Sequence, residues 1–219
     1  MKIEKTEVYG FVPALRGMRN PMDSWDRSST NYMEDSFGDQ IGTYIDEVDF
    51  VLSRKLTKAG TEHCKHLRMI GVWVDLTLPR YIFSEFDTYR HNTKISCSTI
   101  HTIHKRHLTE DDFEGGVSYQ SLSEINSMID EFNTLSDVEE KNKLRRKIKA
   151  SLPEGFLQKR TVYTNYAELL NIYYQRRNHK LPEWHTICDW IISLPYFKEL
   201  TGGWINVLNK RQINWYNTL

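Results

Sequence analysis

Apolar and polar positions alternate most cleanly at the middle of the chain. Ile70, Val72, Val74, Leu76 and Leu78 are apolar at every second position, the period of a half-buried strand. Pro79, which has no amide hydrogen to give a ladder, ends the segment. The period then lengthens. Tyr81, Ile82, Phe86 and Tyr89 recur at helical spacing, and Arg90-His91 falls where that helix runs out. Asn92 to His101 is crowded with small hydroxyl and amide groups and reads as a polar loop. A strand and a helix that deliver an Arg-His pair to such a loop are scaffolding for an anionic ligand.

The flanking segments yield to the same reading. Residues 2–12, with Ile3, Val8, Phe11 and Val12, predict a strand. Arg16 to Thr30 predicts a polar loop or broken helix, punctuated by Gly17 and Pro21. Tyr44, Val48, Val51, Leu52 and Leu56 predict a helix over 41–58 with Gly60 as its stop. The turn Gly60-Thr61-Glu62-His63-Cys64-Lys65-His66 leads back to the central strand. Beyond the centre, 111–119 reads as a loop around Gly115-Gly116. Ser121 with Glu124, and Ser136 with Glu139, read as capping boxes that open two helices. The first carries Ile125, Met128, Ile129 and Phe132 on one face. The second is charge-rich, with glutamates ahead of its basic residues, the order of a solvated helix rather than a nucleic-acid patch. Leu152-Pro153 closes it. A short strand over 156–163 follows, and Asn165 with Glu168 opens a helix that buries Leu169, Leu170, Ile172 and Tyr173 while presenting Asn165, Asn171 and Arg176. Pro182 sits at a first-turn position ahead of Trp184, Ile187, Trp190 and Ile191. The tail over 201–219 is ordered only if Trp204 and Trp215 dock.

Composition removes several function classes. At 219 residues the chain reads as one domain over 1–219 with a sizeable core. Lys+Arg and Asp+Glu balance at 29 each, so no global field draws it to nucleic acid or membrane. No apolar run reaches spanning length, and MKIEKTEVYG lacks a signal peptide's apolar core. Cys64, Cys97 and Cys188 are scattered and suit a reducing, cytoplasmic setting. His101, His104 and His107 are three apart, yet nothing nearby offers a fourth ligand of the usual type, so no metal site is read there. No cysteine is read as paired with an activating base, and neither Gly-x-Ser-x-Gly nor Ser-x-x-Lys occurs. A P-loop and a Gly-x-Gly-x-x-Gly are also missing. What remains is a set of cations, Lys159, Arg160, Arg176 and Arg177 with Arg90-His91, sufficient to hold a nucleotide or flavin phosphate. Taken singly, each is better read as paired with a surface carboxylate such as Glu154, Glu168 or Glu183, and the case for function rests on their arrangement.

Their order along the chain resembles a family. The run LPEGFLQKRTVYTNYAELLNIYYQRRNHKLPEW is similar to the C-terminal half of the flavin-dependent thymidylate synthases. Leu152-Pro153, Lys159 or Arg160, Asn165, Asn171, Arg176, His179 and Glu183 follow that family's sequence of Leu-Pro, base, two Asn, Arg, His and Glu. One residue is dropped between Arg176 and His179. GTEHCKH loosely resembles the family's flavin loop, and Arg90-His91 stands where the signature Arg-His-Arg-x-x-Ser-x-Asn-Glu begins. Asn92 replaces the second Arg. Ile95 takes the Ser position unless a one-residue insertion brings in Ser96. Cys97-Ser98, or Ser98-Thr99 with that insertion, replaces Asn-Glu, and Asp87 stands where many members have Gln.

The resemblance implies a diverged member of the kind carried by phages and bacteria. It implies an α+β fold, a curved mixed sheet flanked by helices, assembled as a homotetramer with active sites between subunits. The implied reaction is reductive methylation of dUMP, or of a related pyrimidine nucleotide, with methylenetetrahydrofolate as carbon donor and NADPH reducing FAD. By carry-over, Arg176 is catalytic and binds the pyrimidine. Asp87, Ser96, Ser98 and Lys159 or Arg160 surround the nucleotide. His63, Arg90, His91, Asn92, Asn165, Asn171 and His179 contact the flavin.

Overall fold

In the computed structural model, which describes residues 1–202, the alternating segment is a strand whose Val72, Val74, Leu76 and Leu78 are almost wholly buried. In chain order the elements are β1 (Lys2–Tyr9), α1 (Phe11–Met18), β2 (Asn31–Glu34), β3 (Gln40–Tyr44), α2 (Glu47–Ala59), β4 (Gly71–Pro79), α3 (Arg80–Phe86), β5 (Thr93–Ser96) and α4 (Thr99–Thr102). There follow α5 (Tyr119–Thr134), α6 (Val138–Ser151), β6 (Leu157–Asn165), α7 (Tyr166–Arg176), α8 (Pro182–Ser193) and α9 (Phe197–Thr201). A four-stranded sheet has the order β1-β4-β6-β5, and β2 pairs with β3 in a separate hairpin. The fold is α+β, an antiparallel sheet flanked by helices. Among the described residues no helix is long and apolar enough to cross a membrane.

The chain divides into two compact units, Met1–Thr6 with Trp73–Tyr163, and Glu7–Val72 with the residues from Thr164 on. In the first, β5 pairs antiparallel to β6, with Lys94 opposite Val162 and Ser96 opposite Arg160. Helices α5 and α6 close a core of their own, in which Ile125, Ile129 and Phe132 meet Leu144, Ile148 and Leu152. Val138 onward is solvated on its outer face, where Glu139 and Lys143 pair at 2.8 Å, one turn apart. In the second unit, Tyr166 is fully buried and donates its hydroxyl to Pro195 O at 2.5 Å. Phe11 and Phe197 pack edge-on against its ring.

Several boundaries differ from the sequence reading. The first strand ends at Tyr9, so Phe11 and Val12 are buried on a helix instead. Gly10 causes the switch. Its φ is 100°, and its carbonyl accepts the first helical bond from Ala14 at 3.0 Å. A Cβ here would meet Met69 O at 2.6 Å. Gly10→Ala is therefore expected to cost about 1–3 kcal/mol, read as a lower urea midpoint at unchanged slope. A loss below a few tenths would mean the turn relaxes freely.

The helix expected over 41–58 starts only at Glu47, where the Asp46 carboxylate accepts from Val48 N, and residues 40–44 belong to the hairpin. Its buried face is Asp49, Phe50, Ser53 and Thr57, while Tyr44, Val48 and Val51 are exposed. Polar partners reverse the pattern: Arg19 pairs Asp49, and Ser53 donates to Leu200 O. The two later helices are capped by Ser118 and Asp137, through Ser121 N at 3.1 Å and Glu140 N at 2.8 Å, not by Ser121 and Ser136. Part of the loop expected over 92–101 is strand β5. Thr93 and Ile95 suit a strand, and its backbone is satisfied by β6, which the density of hydroxyls concealed. Of the three histidines, His101 is exposed, His104 packs 4.5 Å from the Phe132 ring, and His107 meets Asp130 at 2.7 Å. Trp204 and Trp215 lie outside the described residues.

Candidate functional site

In the first unit, strand pairing and α3 bring three of the expected residues, Asp87, Ser96 and Arg160, together. Arg160 Nη1 donates to both oxygens of Asp87, at 2.9 and 3.0 Å, and Nη2 donates to Gln158 Oε1 at 3.0 Å. The guanidinium lies 3.8 Å above the Phe83 ring. Lys94 Nζ reaches the same Asp87 carboxylate at 2.8 Å. Burial pushes the Asp87 carboxyl up, but Lys94 and Arg160 outweigh it and hold it below its ordinary value. Two cations on one carboxylate leave the cluster with one net positive charge. Ser96, exposed at the end of β5, sits opposite Arg160 in register. Ser98 is the exposed N-cap of α4, and its carbonyl accepts from the Thr102 hydroxyl at 2.8 Å.

Lys159 points to a different partner, Asp75 Oδ2 at 2.9 Å, and Thr161 donates to the other oxygen at 2.6 Å. The Thr161 hydroxyl, then Lys159, hold Asp75 below the ordinary carboxylate value. The carboxylates that occupy the β6 cations are thus Asp75 and Asp87. Glu154 instead meets Arg80 at 3.1 Å. Arg90 is exposed and has no ion pair among the described residues. His91 beside it is exposed as well. Asn92 turns inward on its own loop, donating to Tyr89 O at 2.7 Å.

In the second unit, helix α7, its N-cap and the turn that follows it carry Asn165, Asn171, Arg176 and His179. Asn165 caps α7, its Oδ1 accepting from Glu168 N at 3.0 Å. Asn171 Oδ1 accepts from Gln175 at 2.9 Å. In both, this contact uses the amide oxygen, and the amide NH2 is a donor group. Arg176 lies 4.6 Å over the Trp184 ring, and the His179 ring is 6.2 Å from the same indole. His179 Nδ1 accepts from Leu181 N at 3.2 Å, which puts its proton on Nε2. Arg177 leans the other way, 5.4 Å from Tyr174 and 5.9 Å from Tyr173. His63 is exposed on its turn, 3.5 Å from Glu62.

Sequence reasoning missed Asp75, Lys94, Gln158 and the Trp184 platform. Asp75 had a readable signal: it is a polar residue in the alternation of β4, on the face opposite Val74 and Leu76. Two thiols are chemically quiet. Burial pushes Cys64 up, and burial pushes Cys188 up to about 12, so neither is a thiolate near neutral pH.

No family model matches this chain, and no curated protein matches it in sequence. Solved structures do. The flavin-dependent thymidylate synthase ThyX of Helicobacter pylori, complexed with FAD and dUMP, superposes with a TM-score of 0.66 at 14% identity, covering 92% of this chain and 97% of that one. A second structure of the same enzyme with FAD and dUMP gives 0.65 at 15% identity, over the same shares. At this identity the likeness is one of fold, and the fold is that of the flavin-dependent thymidylate synthases.

Proposed function

We propose that the protein is a flavin-dependent enzyme of the thymidylate synthase type, methylating dUMP to dTMP in the cytoplasm as a homotetramer. The observation that carries this reading is the likeness in fold, over nine-tenths of the chain, to an enzyme that holds FAD and dUMP. Methylenetetrahydrofolate would donate the carbon and NADPH the reducing equivalents. FAD, when bound, supplies hydride chemistry, which removes any need for an enzyme nucleophile. The high Cys64 and Cys188 thiols accord with that.

The donors present suit a flavin dinucleotide. Arg90 offers an exposed guanidinium, without an ion pair among the described residues, for a diphosphate, and His91 and Asn92 are assigned beside it. His63 keeps the flavin role that the resemblance implies. Asn165 and Asn171 offer amide hydrogens to ring carbonyls and nitrogens, and His179 is assigned to the flavin beside them. Arg176, with its Cζ 4.6 Å over the Trp184 ring, is assigned to the pyrimidine, where a positioned guanidinium stabilises charge developing on the ring. Ser96, Ser98, Asp87 and Lys159 or Arg160 are assigned to the nucleotide.

One observation favours a second reading. Arg160 and Lys94 are both spent on Asp87, and Asn92 on its own turn, where the family signature has a second Arg. That rearrangement fits a different pyrimidine nucleotide, or hydroxymethylation in place of methylation, with the flavin retained.

The test is direct. The purified protein should be yellow or take up FAD, and with dUMP, methylenetetrahydrofolate and NADPH should release dTMP on chromatography. A hydroxymethyl product, or turnover of another pyrimidine nucleotide alone, selects the second reading. If the protein binds no flavin, both readings fail and a non-catalytic nucleotide-binding role is the alternative left to test. Arg176→Ala should weaken dUMP binding by about one to two decades while sparing FAD, as loss of a charge-assisted hydrogen bond requires. Arg177→Ala, directed at Tyr173 and Tyr174, should change little. Equal effects would move the nucleotide assignment off Arg176.

A further inference from the structure

The loop after α1 builds a cleft that the proposed reaction does not use. Val12, Arg16, Arg19, Trp25, Ser28, Thr30 and Asn31 enclose about 240 Å³. Its floor is rigid and fully satisfied. Asp49, with no exposed surface, takes Arg19 Nε and Nη2 on one oxygen, at 2.7 and 2.6 Å, and the Ser28 and Thr30 hydroxyls on the other, each at 2.5 Å. Arg19 Nη1 reaches on to Ser24 O at 3.3 Å, so the pair ties the loop that carries Trp25 to helix α2.

Three groups on the walls are not consumed by that floor. The Trp25 indole is fixed through its Nε1–H to Asn20 Oδ1 at 2.8 Å, yet is 49% exposed. Arg16 is exposed and has no ion pair among the described residues. Asn31 uses its Oδ1 on Tyr32 N at 2.9 Å, which leaves its amide hydrogens to donate. A fixed aromatic face, a free guanidinium and an amide donor over an apolar Val12 match a flat ring that carries an anion. The volume is just under the usual range for small-molecule sites, about 300–1,000 Å³, and so suits one base with its sugar and phosphate rather than a dinucleotide.

We infer that this cleft binds a mononucleotide, its base stacked on Trp25 and its phosphate on Arg16. The site is independent of the flavin and dUMP assignments, since none of its residues belongs to them.

The experiment is calorimetric titration of the full-length protein with AMP and UMP, with adenosine and uridine as phosphate-free arms. At least one nucleotide should bind saturably, and its nucleoside about tenfold more weakly. Trp25→Leu and Arg16→Gln should each weaken the nucleotide by about tenfold or more, whereas Trp25→Phe should restore most of the affinity. Both side chains are exposed, so an unchanged urea midpoint in the same variants separates lost binding from lost fold. Arg176→Ala should leave this binding as it is. If neither nucleotide binds, or if binding survives Trp25→Leu and Arg16→Gln but falls with Arg176→Ala, the inference is overturned. The proposed reaction would stand in that case, because flavin uptake tests it separately.

Discussion

Replacing Asp49 by Ala is expected to destabilise the protein by about 3–5 kcal/mol, because it strands the buried Arg19 guanidinium without its counter-charge. The cost is not the value of the ion pair. An intact buried pair gains little over apolar side chains of the same size, since desolvation offsets the attraction. Removing one partner leaves a nearly buried charge without its counter-ion, and here the Ser28 and Thr30 hydroxyls lose their acceptor as well. The double variant Arg19→Met with Asp49→Leu should recover most of the loss. Urea unfolding of the three variants checks both expectations. A single-variant loss under about 1 kcal/mol would show that Arg19 finds water or another acceptor.

The second large effect is acid lability centred on His66. Its ring is buried, and Nε2 lies 2.7 Å from Ser53 Oγ, which itself donates to Leu200 O at 2.8 Å. The hydroxyl must therefore accept, and Nε2 carries the proton of a neutral imidazole. Nδ1 has no partner among the described residues, and burial lowers the group to about 4. In the unfolded chain the same ring titrates near 6.5. Between those values the unfolded state holds a proton that the folded state refuses, so stability is complete above about 6.5 and falls as pH drops towards 4. The loss over that window is about 3 kcal/mol. His66→Gln keeps a donor to Ser53 but does not titrate, and should flatten the wild-type slope between pH 7 and 4.5. Paired carboxylates such as Asp75 also weaken in acid, so the difference between the two proteins, not the wild-type curve, is the diagnostic. Parallel slopes would rule His66 out as the cause.

Those two sites show where a sequence can and cannot be read. The strand over Ile70–Leu78 and the helix opened by Asn165 were legible because period and cap agree with the burial they produce. Helix α2 was not. Its apolar residues Val48 and Val51 recur at the right spacing on the exposed side, while Asp49 and Ser53 go inward to partners on other elements, Arg19 and Leu200 among them. Periodicity counts apolar residues and has no means of seeing a distant arginine. The same limit hid the site's electrostatics. Arg160 and Lys159 could be named as cations from their place before Asn165, but that they lie against Asp87 and Asp75 depends on strand register and on α3. Strand β5 escaped because its four residues take their stability from β6, not from any preference of their own.

The shared carboxylate of Asp87 makes tolerance to sequence drift lopsided. If Lys94 changes, Asp87 keeps the two-pronged grip of Arg160; if Arg160 changes, Lys94 still answers the charge. Each cation is a spare for the other. Asp87 has no spare, and losing it sets two like charges side by side above Phe83 and Phe86. Loss of the one acid is thus expected to disturb this face more than loss of either base.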